Sequence, residues 1–370
     1  MKTLDTMRGI LKDPEPIITE WKAKGKKVLG YRCSYVPEEI IYAADVLPYP
    51  LFGTPEAIVQ ADSYFQFNIC EFIRNIFDLA LQGKFSFLDG LVLCNTCDAV
   101  RKLYDHWNTY IKTPFCYIID NPQLMNTELG YKYYGEELKR FKKAIEDFAG
   151  TSISDESLQK SIDLYNETRA LVKELYSFRK EKPPRISGVE ALDITMATML
   201  MPKDKSNRLL RQLISEVKAR QDGPKASGPR ILLTGSIIDN PTLIQLVEDV
   251  GGTVVVEDLC TAIKHFWHEV KDGKDPLDAL CHHGTERCIC ACMHPPEGRL
   301  DYLHELIEEY AVDGIIYLTL KYCDPFLYEG VLFRDKLQAQ GTPTILLETE
   351  HSLSGLGQLR TRIQAFVEML

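Results

Sequence analysis

The sequence predicts an α/β fold made of two related halves, each with its own parallel sheet. An Asp-Gly turn, an apolar run of strand length and a Cys-Asp pair occur together at 88–98 and again at 312–324. Further apolar runs bounded by Gly or Pro alternate with helical patterns, which is typical of βαβ units. Because ligands bind beyond the carboxyl ends of parallel strands, a cysteine at this point in each half predicts a metal or cluster in the cleft between the halves.

The similarity between the halves extends beyond this pair of segments. Each half begins with a strand, then has a proline-containing turn and a helix, and later has a strand that starts at a Thr-Pro pair. The β-branched run 252–258 adds a buried strand to the second half. The matched segments are 25–31 with 228–234, 37–44 with 241–250, and 113–120 with 342–348.

A helical connector is predicted between the halves. Apolar residues at 3.6-residue spacing predict amphipathic helices at 132–148 and 157–178, with Ser157 as the N-cap of the second. Residues 221–229 have the composition of a linker, and a last helix is expected at 358–370. We therefore expect a first Rossmann-like half at 1–131, a helical connector at 132–227 and a second half at 228–370.

Composition excludes several classes of protein. A chain of 370 residues with a formal net charge of −10 is long enough for two large cores, and its acidic balance argues against nucleic-acid binding. No apolar run reaches membrane-spanning length, and residues 1–27 lack a signal-peptide core. We expect a cytoplasmic protein with no nucleic-acid or membrane partner, whose 11 cysteines stay out of disulfides.

Several cysteines are placed where a cleft could gather them. Cys70 lies in a helical stretch predicted at 61–81, whereas Cys260 and Cys323 each follow a predicted strand. Cys94 and Cys97 form a CxxC, which alone fits a redox pair or half of a zinc site. Cys97 precedes a predicted helix start, where the helix dipole favours thiolate over thiol. Cys94 and Cys116 fall inside predicted strands and are interpreted as packing residues.

A predicted loop at 281–295 adds a CxCxC motif, Cys288, Cys290 and Cys292. Zinc is one candidate, but its usual pattern is two separated knuckles rather than CxCxC. An iron–sulfur cluster suits dispersed thiolates better. The neighbouring histidines are interpreted as loop surface or as outer neighbours of the site rather than as ligands: His282, His283 and His294.

Two glutamates open the first predicted helix beside the carboxyl edge of the sheet. Glu38 and Glu39 are candidates to donate or remove a proton. The alternative is that they are first-turn glutamates favoured by the helix dipole. The chain has no GxGxxG and no GxxxxGK[ST], so a nucleotide site of either kind is unsupported.

Together these motifs resemble the 2-hydroxyacyl-CoA dehydratase and benzoyl-CoA reductase family, which includes the double-cubane cluster proteins. The resemblance covers nearly the whole chain. It depends on Val36-Pro37-Glu38-Glu39-Ile40-Ile41, Asn68-Ile69-Cys70, Thr96-Cys97-Asp98, Asp258-Leu259-Cys260-Thr261, Cys290-Ala291-Cys292, Lys321-Tyr322-Cys323-Asp324-Pro325 and the segment 357–362.

The resemblance implies a set of cluster ligands. Cys70, Cys97 and Cys323 would hold one [4Fe-4S] cluster with one iron left open for substrate or a bridging sulfide. Members similar to the double-cubane proteins have three more cysteines, here Cys260, Cys290 and Cys292, and a sulfide then links two cubanes into [8Fe-9S]. Residues 260–263 depart from the family, whose members often have Cys-Thr-Gly and then a basic residue.

The resemblance also implies a function. The expected protein is an iron–sulfur oxidoreductase subunit that passes single electrons at low potential to a CoA thioester or another small molecule. A separate ATP-hydrolysing iron–sulfur activator would reduce it, and it would form a homodimer or pair with a paralogous subunit. The alternatives are a 2-hydroxyacyl-CoA dehydratase subunit, which eliminates water by radical chemistry, and a non-catalytic zinc or metal scaffold.

Overall fold

Two parallel sheets confirm the predicted α/β fold. The computed structural model describes residues 1–224, 226–273, 275–287, 290–352 and 354–370. The strands are β1 (Val28–Arg32), β2 (Leu47–Pro50), β3 (Gly90–Cys94), β4 (Phe115–Ile119), β5 (Arg230–Gly235), β6 (Thr253–Asp258), β7 (Gly314–Leu320) and β8 (Thr344–Thr349). The two four-stranded sheets have the orders β2-β1-β3-β4 and β6-β5-β7-β8, so both halves share one topology.

Helices flank both sheets and fill the region between them. The first half contains α1 (Lys2–Lys12), α2 (Glu15–Lys22), α3 (Glu38–Ala43), α4 (Glu71–Leu81) and α5 (Asp98–His106). The predicted connector region is built from α6 (Glu128–Ala149), which begins before the predicted boundary at 132, α7 (Asp155–Ser177), α8 (Gly188–Leu200) and α9 (Lys203–Ala219). The second half contains α10 (Thr242–Asp249), α11 (Ile263–Phe266), α12 (Pro276–Glu286), α13 (Glu297–Glu309), α14 (Asp324–Ala339) and α15 (Leu356–Met369). In the part of the chain that the structure describes, no helix is both long and apolar enough to cross a membrane.

The repeated Asp-Gly pair has the same structural role in both halves. Asp89 Oδ2 accepts a hydrogen bond from the backbone N–H of Val28 at 2.7 Å, and Asp313 Oδ2 accepts one from Arg230 N–H at 2.7 Å. Each aspartate therefore fixes the start of the neighbouring central strand. A Cβ on Gly90 would lie 2.8 Å from the carbonyl oxygen of Phe115, so the close approach of β4 requires glycine there.

The structure corrects two local predictions and adds one strand. Cys70 is not inside a helix: it is the N-cap of α4, because the chain after a short 3₁₀ turn at Ala61–Ser63 stays non-helical up to that residue. The N-cap of α7 is Ser154, whose side chain accepts from the N–H of Ser157. Strand β2 was not predicted from the sequence because it contains two prolines. An edge strand tolerates proline, and β2 lies at the edge of its sheet.

We expect the carboxyl group of Glu248, on α10, to destabilise the fold at neutral pH. It accepts a hydrogen bond from Gly188 N–H at 2.6 Å, but burial raises its pKa to about 7. A carboxyl whose folded-state pKa is raised stabilises the fold below its unfolded pKa, and this contribution is lost as the pH rises through about 7. Glu248→Gln keeps an acceptor oxygen and should raise the free energy of unfolding by about 1 kcal/mol at pH 8 but hardly at pH 4. Denaturant titrations at both pH values test this, and an equal effect at the two would contradict it.

Candidate metal centre

The carboxyl ends of the two sheets face a cleft of about 830 Å³. All six cysteines predicted as ligands line it, and so does a seventh, Cys33. Every cysteine in the described part of the chain is a free thiol. Cys288, from the CxCxC motif, lies outside the described residues.

The first set of thiols comes from three helix N-termini. Cys70, Cys97 and Cys323 are the N-caps of α4, α5 and α14. The thiols of Cys70 and Cys323, which belong to different halves, share a hydrogen bond that lowers the pKa of Cys70 and raises that of Cys323. Backbone N–H groups of Phe72 and Ile73 also favour the thiolate of Cys70. Helix N-termini stabilise anionic sulfur, so this part of the cleft suits thiolate ligands.

The second set of thiols lies beside the first. Cys260 follows β6, and burial raises the pKa of its thiol, although Lys264 and Arg32 act in the opposite direction. The thiols of Cys290 and Cys292 share a hydrogen bond, which lowers the pKa of Cys290. Cys292 also bonds to Cys97, so it joins the two sets.

The chemistry of the donor set suits an iron–sulfur cluster, because thiolates are its usual ligands. In the described ranges no group of three or more Cys, His, Asp or Glu side chains is already arranged around one point. The cleft instead collects thiols in two neighbouring sets. A cluster needs thiolates spread around several irons, whereas zinc needs about four donors converging on one point.

Positive charge accompanies the thiols. The guanidinium of Arg32, at the end of β1, lies 4.8 Å from the ring centroid of Phe72, which also lines the cleft. Lys264 is fully buried, and its Nζ lies 3.3 Å from Asp258 Oδ2. Asp258 pairs in addition with Arg299 at 3.3 Å. Sequence reasoning missed Arg32 and Cys33, although both stand directly at a strand end, the signal used for Cys260 and Cys323.

Glu38 and Glu39 are placed away from the cleft, beside a separate small cavity. They are only 2% and 3% exposed. Burial would raise the pKa of Glu38, but Lys203 at 3.6 Å and His265 Nε2 at 2.8 Å more than offset it and lower the pKa to about 2. Glu39 pairs with Arg169 of α7. These contacts tie α3 to the connector and the second half, and the catalytic role of the two glutamates stays a prediction.

The histidines near the CxCxC motif have different surroundings. His282 and His283 lie in helix α12 rather than in a loop. His282 is half exposed, whereas His283 is buried and its Nε2 lies 2.9 Å from the carbonyl oxygen of His268. His294 is exposed at the cleft wall. His283 is therefore not at a loop surface, because residues 276–286 form a helix whose pattern was not recognised, and the prediction that these histidines are not ligands stays a prediction.

Comparison with known proteins agrees with this architecture. The family model for 2-hydroxyglutaryl-CoA dehydratase, D-component, matches residues 33–370. The chain is 26% identical over 370 residues to the (R)-phenyllactyl-CoA dehydratase beta subunit of Clostridium sporogenes, with 100% of this chain and 99% of the relative covered. It is 26% identical over 360 residues to one of the subunits of benzoyl-CoA reductase from Thauera aromatica, with 95% and 93% covered.

A third relative is also a subunit of a dehydratase. The chain is 24% identical over 374 residues to the beta subunit of (R)-2-hydroxyglutaryl-CoA dehydratase from Acidaminococcus fermentans, with 99% and 98% of the two chains covered. These relatives are subunits of enzymes, dehydratases in two cases and a reductase in the other. The family match runs from Cys33 at the end of β1 to the last residue, and the chain therefore belongs to the 2-hydroxyglutaryl-CoA dehydratase D-component family, as its motifs suggested.

Proposed function

We propose that this chain is the cluster-bearing subunit of an ATP-dependent reductase that passes single electrons to a poorly reducible CoA thioester or related small molecule. The observation that supports this most is that two sets of thiols, drawn from both halves, line one cleft. Cys70, Cys97 and Cys323 would hold a [4Fe-4S] cluster. Cys260, Cys290 and Cys292 would hold a second cluster. The two clusters together would form a double-cubane [8Fe-9S] arrangement.

Such a cluster supplies one-electron chemistry when bound. The residues of the chain hold and shield it. The N-terminus of α4 favours anionic sulfur at Cys70, and Lys264 and Arg32 add positive charge beside Cys260. The apolar side chains of Phe72 and Phe326 line the cleft and limit the entry of water.

We propose that a second, paralogous subunit lies over the mouth of the cleft and that an ATP-hydrolysing iron–sulfur activator delivers the electron. Large apolar side chains are exposed at this rim: Tyr328 is 81% exposed, and Phe67, 75% exposed, contacts the ring of Tyr322. Exposed apolar surface of this kind is typical of interaction sites. The relatives are each named as one subunit of an enzyme, which supports a partner of the same family.

The second candidate is a 2-hydroxyacyl-CoA dehydratase subunit. It is favoured by the beta subunits of (R)-phenyllactyl-CoA and (R)-2-hydroxyglutaryl-CoA dehydratases among the relatives. The three additional cleft cysteines favour the reductase, because family resemblance gives dehydratase subunits only the first set. A dehydratase eliminates water with no net electron consumption, so the products separate the two functions.

Anaerobic analysis of iron and acid-labile sulfide is the first experiment. We expect a brown, oxygen-sensitive protein with about eight irons per chain if both clusters form and about four if only one forms. Purified protein that holds zinc in place of iron, before and after anaerobic reconstitution, would contradict the proposed function and favour the scaffold alternative.

Product analysis is the second experiment. With the activator and ATP supplied, the reductase should consume electrons in proportion to a reduced acyl-CoA product. A dehydratase should instead convert a 2-hydroxyacyl-CoA to the enoyl-CoA after a catalytic amount of reductant. Chain without activator is the control for both reactions.

A further inference from the structure

Cys33 is a seventh thiol in the cleft, and the six-residue ligand set leaves it without a role. It directly follows β1, is partly exposed, and lines the cleft together with Cys260 and Cys290. Its Sγ lies 3.9 Å from Thr96 Oγ1, and the thiol of Cys94 is a neighbour. Cys33 thus stands between the buried end of β3 and the open cleft.

The internal repeat gives a comparison for this position. Leu29 pairs with Gly90 in the first sheet, and Ile231 pairs with Gly314 in the second. Four residues further on, Cys33 corresponds to Gly235, and the two have φ values of 105° and 123°. This left-handed region favours glycine, which the second half uses. The first half places a thiol at the same point, so the side chain itself must be of use there.

Arg32 provides an independent observation. It lines the cleft and is only 8% exposed, and its guanidinium packs on the ring of Phe72, with no carboxylate of the described part of the chain within 4.0 Å. A buried, unpaired guanidinium is costly unless an anion accompanies it. Its charge acts on Cys33 and Cys260 as well as on Asp239, so it favours a thiolate at this side of the cleft.

Cys292 is placed differently. Its thiol lies next to the thiol of Cys290 in the second set and to that of Cys97 in the first, so it stands between the sets. We propose that Cys33, with Cys260 and Cys290, is the third thiolate of the second cluster, and that Cys292 is a hydrogen-bonding neighbour of both clusters. This inference rests on the proposed function and refines its ligand set.

Cys33→Gly is the variant of choice, because glycine adopts the left-handed conformation freely and the fold should be kept. After anaerobic reconstitution, we expect about eight irons in the unchanged chain and about four in Cys33→Gly, with matching loss of labile sulfide. Cys292→Ala and the matched control Cys94→Ala, which removes the thiol that contacts Cys33, should both keep about eight irons. Circular dichroism and thermal unfolding check the fold of each variant.

The outcomes separate this inference from the proposed function. If Cys33→Gly holds as much iron as the unchanged chain, or if Cys292→Ala holds half as much, the inference is overturned and the proposed function still stands. About four irons in the unchanged chain, with no further loss of iron in Cys33→Gly, would likewise overturn the inference but not the proposed function. No iron in the unchanged chain would overturn both.

Discussion

Replacing Cys97 or Cys323 with serine is expected to remove the iron of the first cluster. Each residue is a helix N-cap at the cleft, one in each half, and Cys323 bonds to the thiol of Cys70. Serine removes the soft thiolate that iron requires but is itself a preferred N-cap. The helices should therefore persist, so loss of iron can be separated from loss of structure by circular dichroism.

Two other cysteines serve as matched controls. Cys94 is fully buried at the end of β3, and Cys116 lies on the edge strand β4, where burial raises the pKa of its thiol to about 12. Serine at either site should leave the iron of the first cluster nearly unchanged and cost some stability. If Cys94→Ser loses iron as completely as Cys97→Ser, the CxxC acts as a unit and the ligand assignment is wrong.

Replacing Arg179 with alanine is expected to give a large loss of stability. Arg179 follows α7 and is fully buried, and its guanidinium makes a two-pronged pair with Glu257 of β6, with Nη1 to Oε2 at 2.6 Å. Nη2 also donates to the carbonyl oxygen of Val254 at 2.7 Å, and Tyr176 donates to Glu257 at 3.0 Å. Removing the guanidinium leaves a buried carboxylate without its cation, which costs about 3–5 kcal/mol.

Denaturant unfolding followed by circular dichroism measures this effect. The matched control is the double variant Arg179→Met with Glu257→Leu, which removes both charges and should recover most of the loss. Arg211→Ala, at an exposed pair with Glu167, should cost less than about 1 kcal/mol. An Arg179→Ala chain as stable as Arg211→Ala would show that the buried pair does not hold the connector to the second sheet.

The helices and strands were predicted where their causes are local. The Asp-Gly turns, the β-branched run of β6 and the amphipathic pattern of α7 each depend on residues close together in the chain. One helix start was predicted wrongly and one strand was not predicted. Cys70 caps α4 rather than lying inside it, and β2 forms by pairing with β1 although it contains two prolines.

The sequence by itself determined the repeat, the parallel strands and the delivery of Cys97 and Cys323 to strand ends, because turn chemistry and side-chain periodicity act over a few residues. Only the tertiary structure decided which groups meet. It brings the thiols of Cys70 and Cys323 together across the cleft, and adds Cys33 to that cleft. It also buries Glu38 against Lys203 and His265, at a distance from the thiols. Such contacts join residues far apart in the chain, and packing and burial, rather than local pattern, select them.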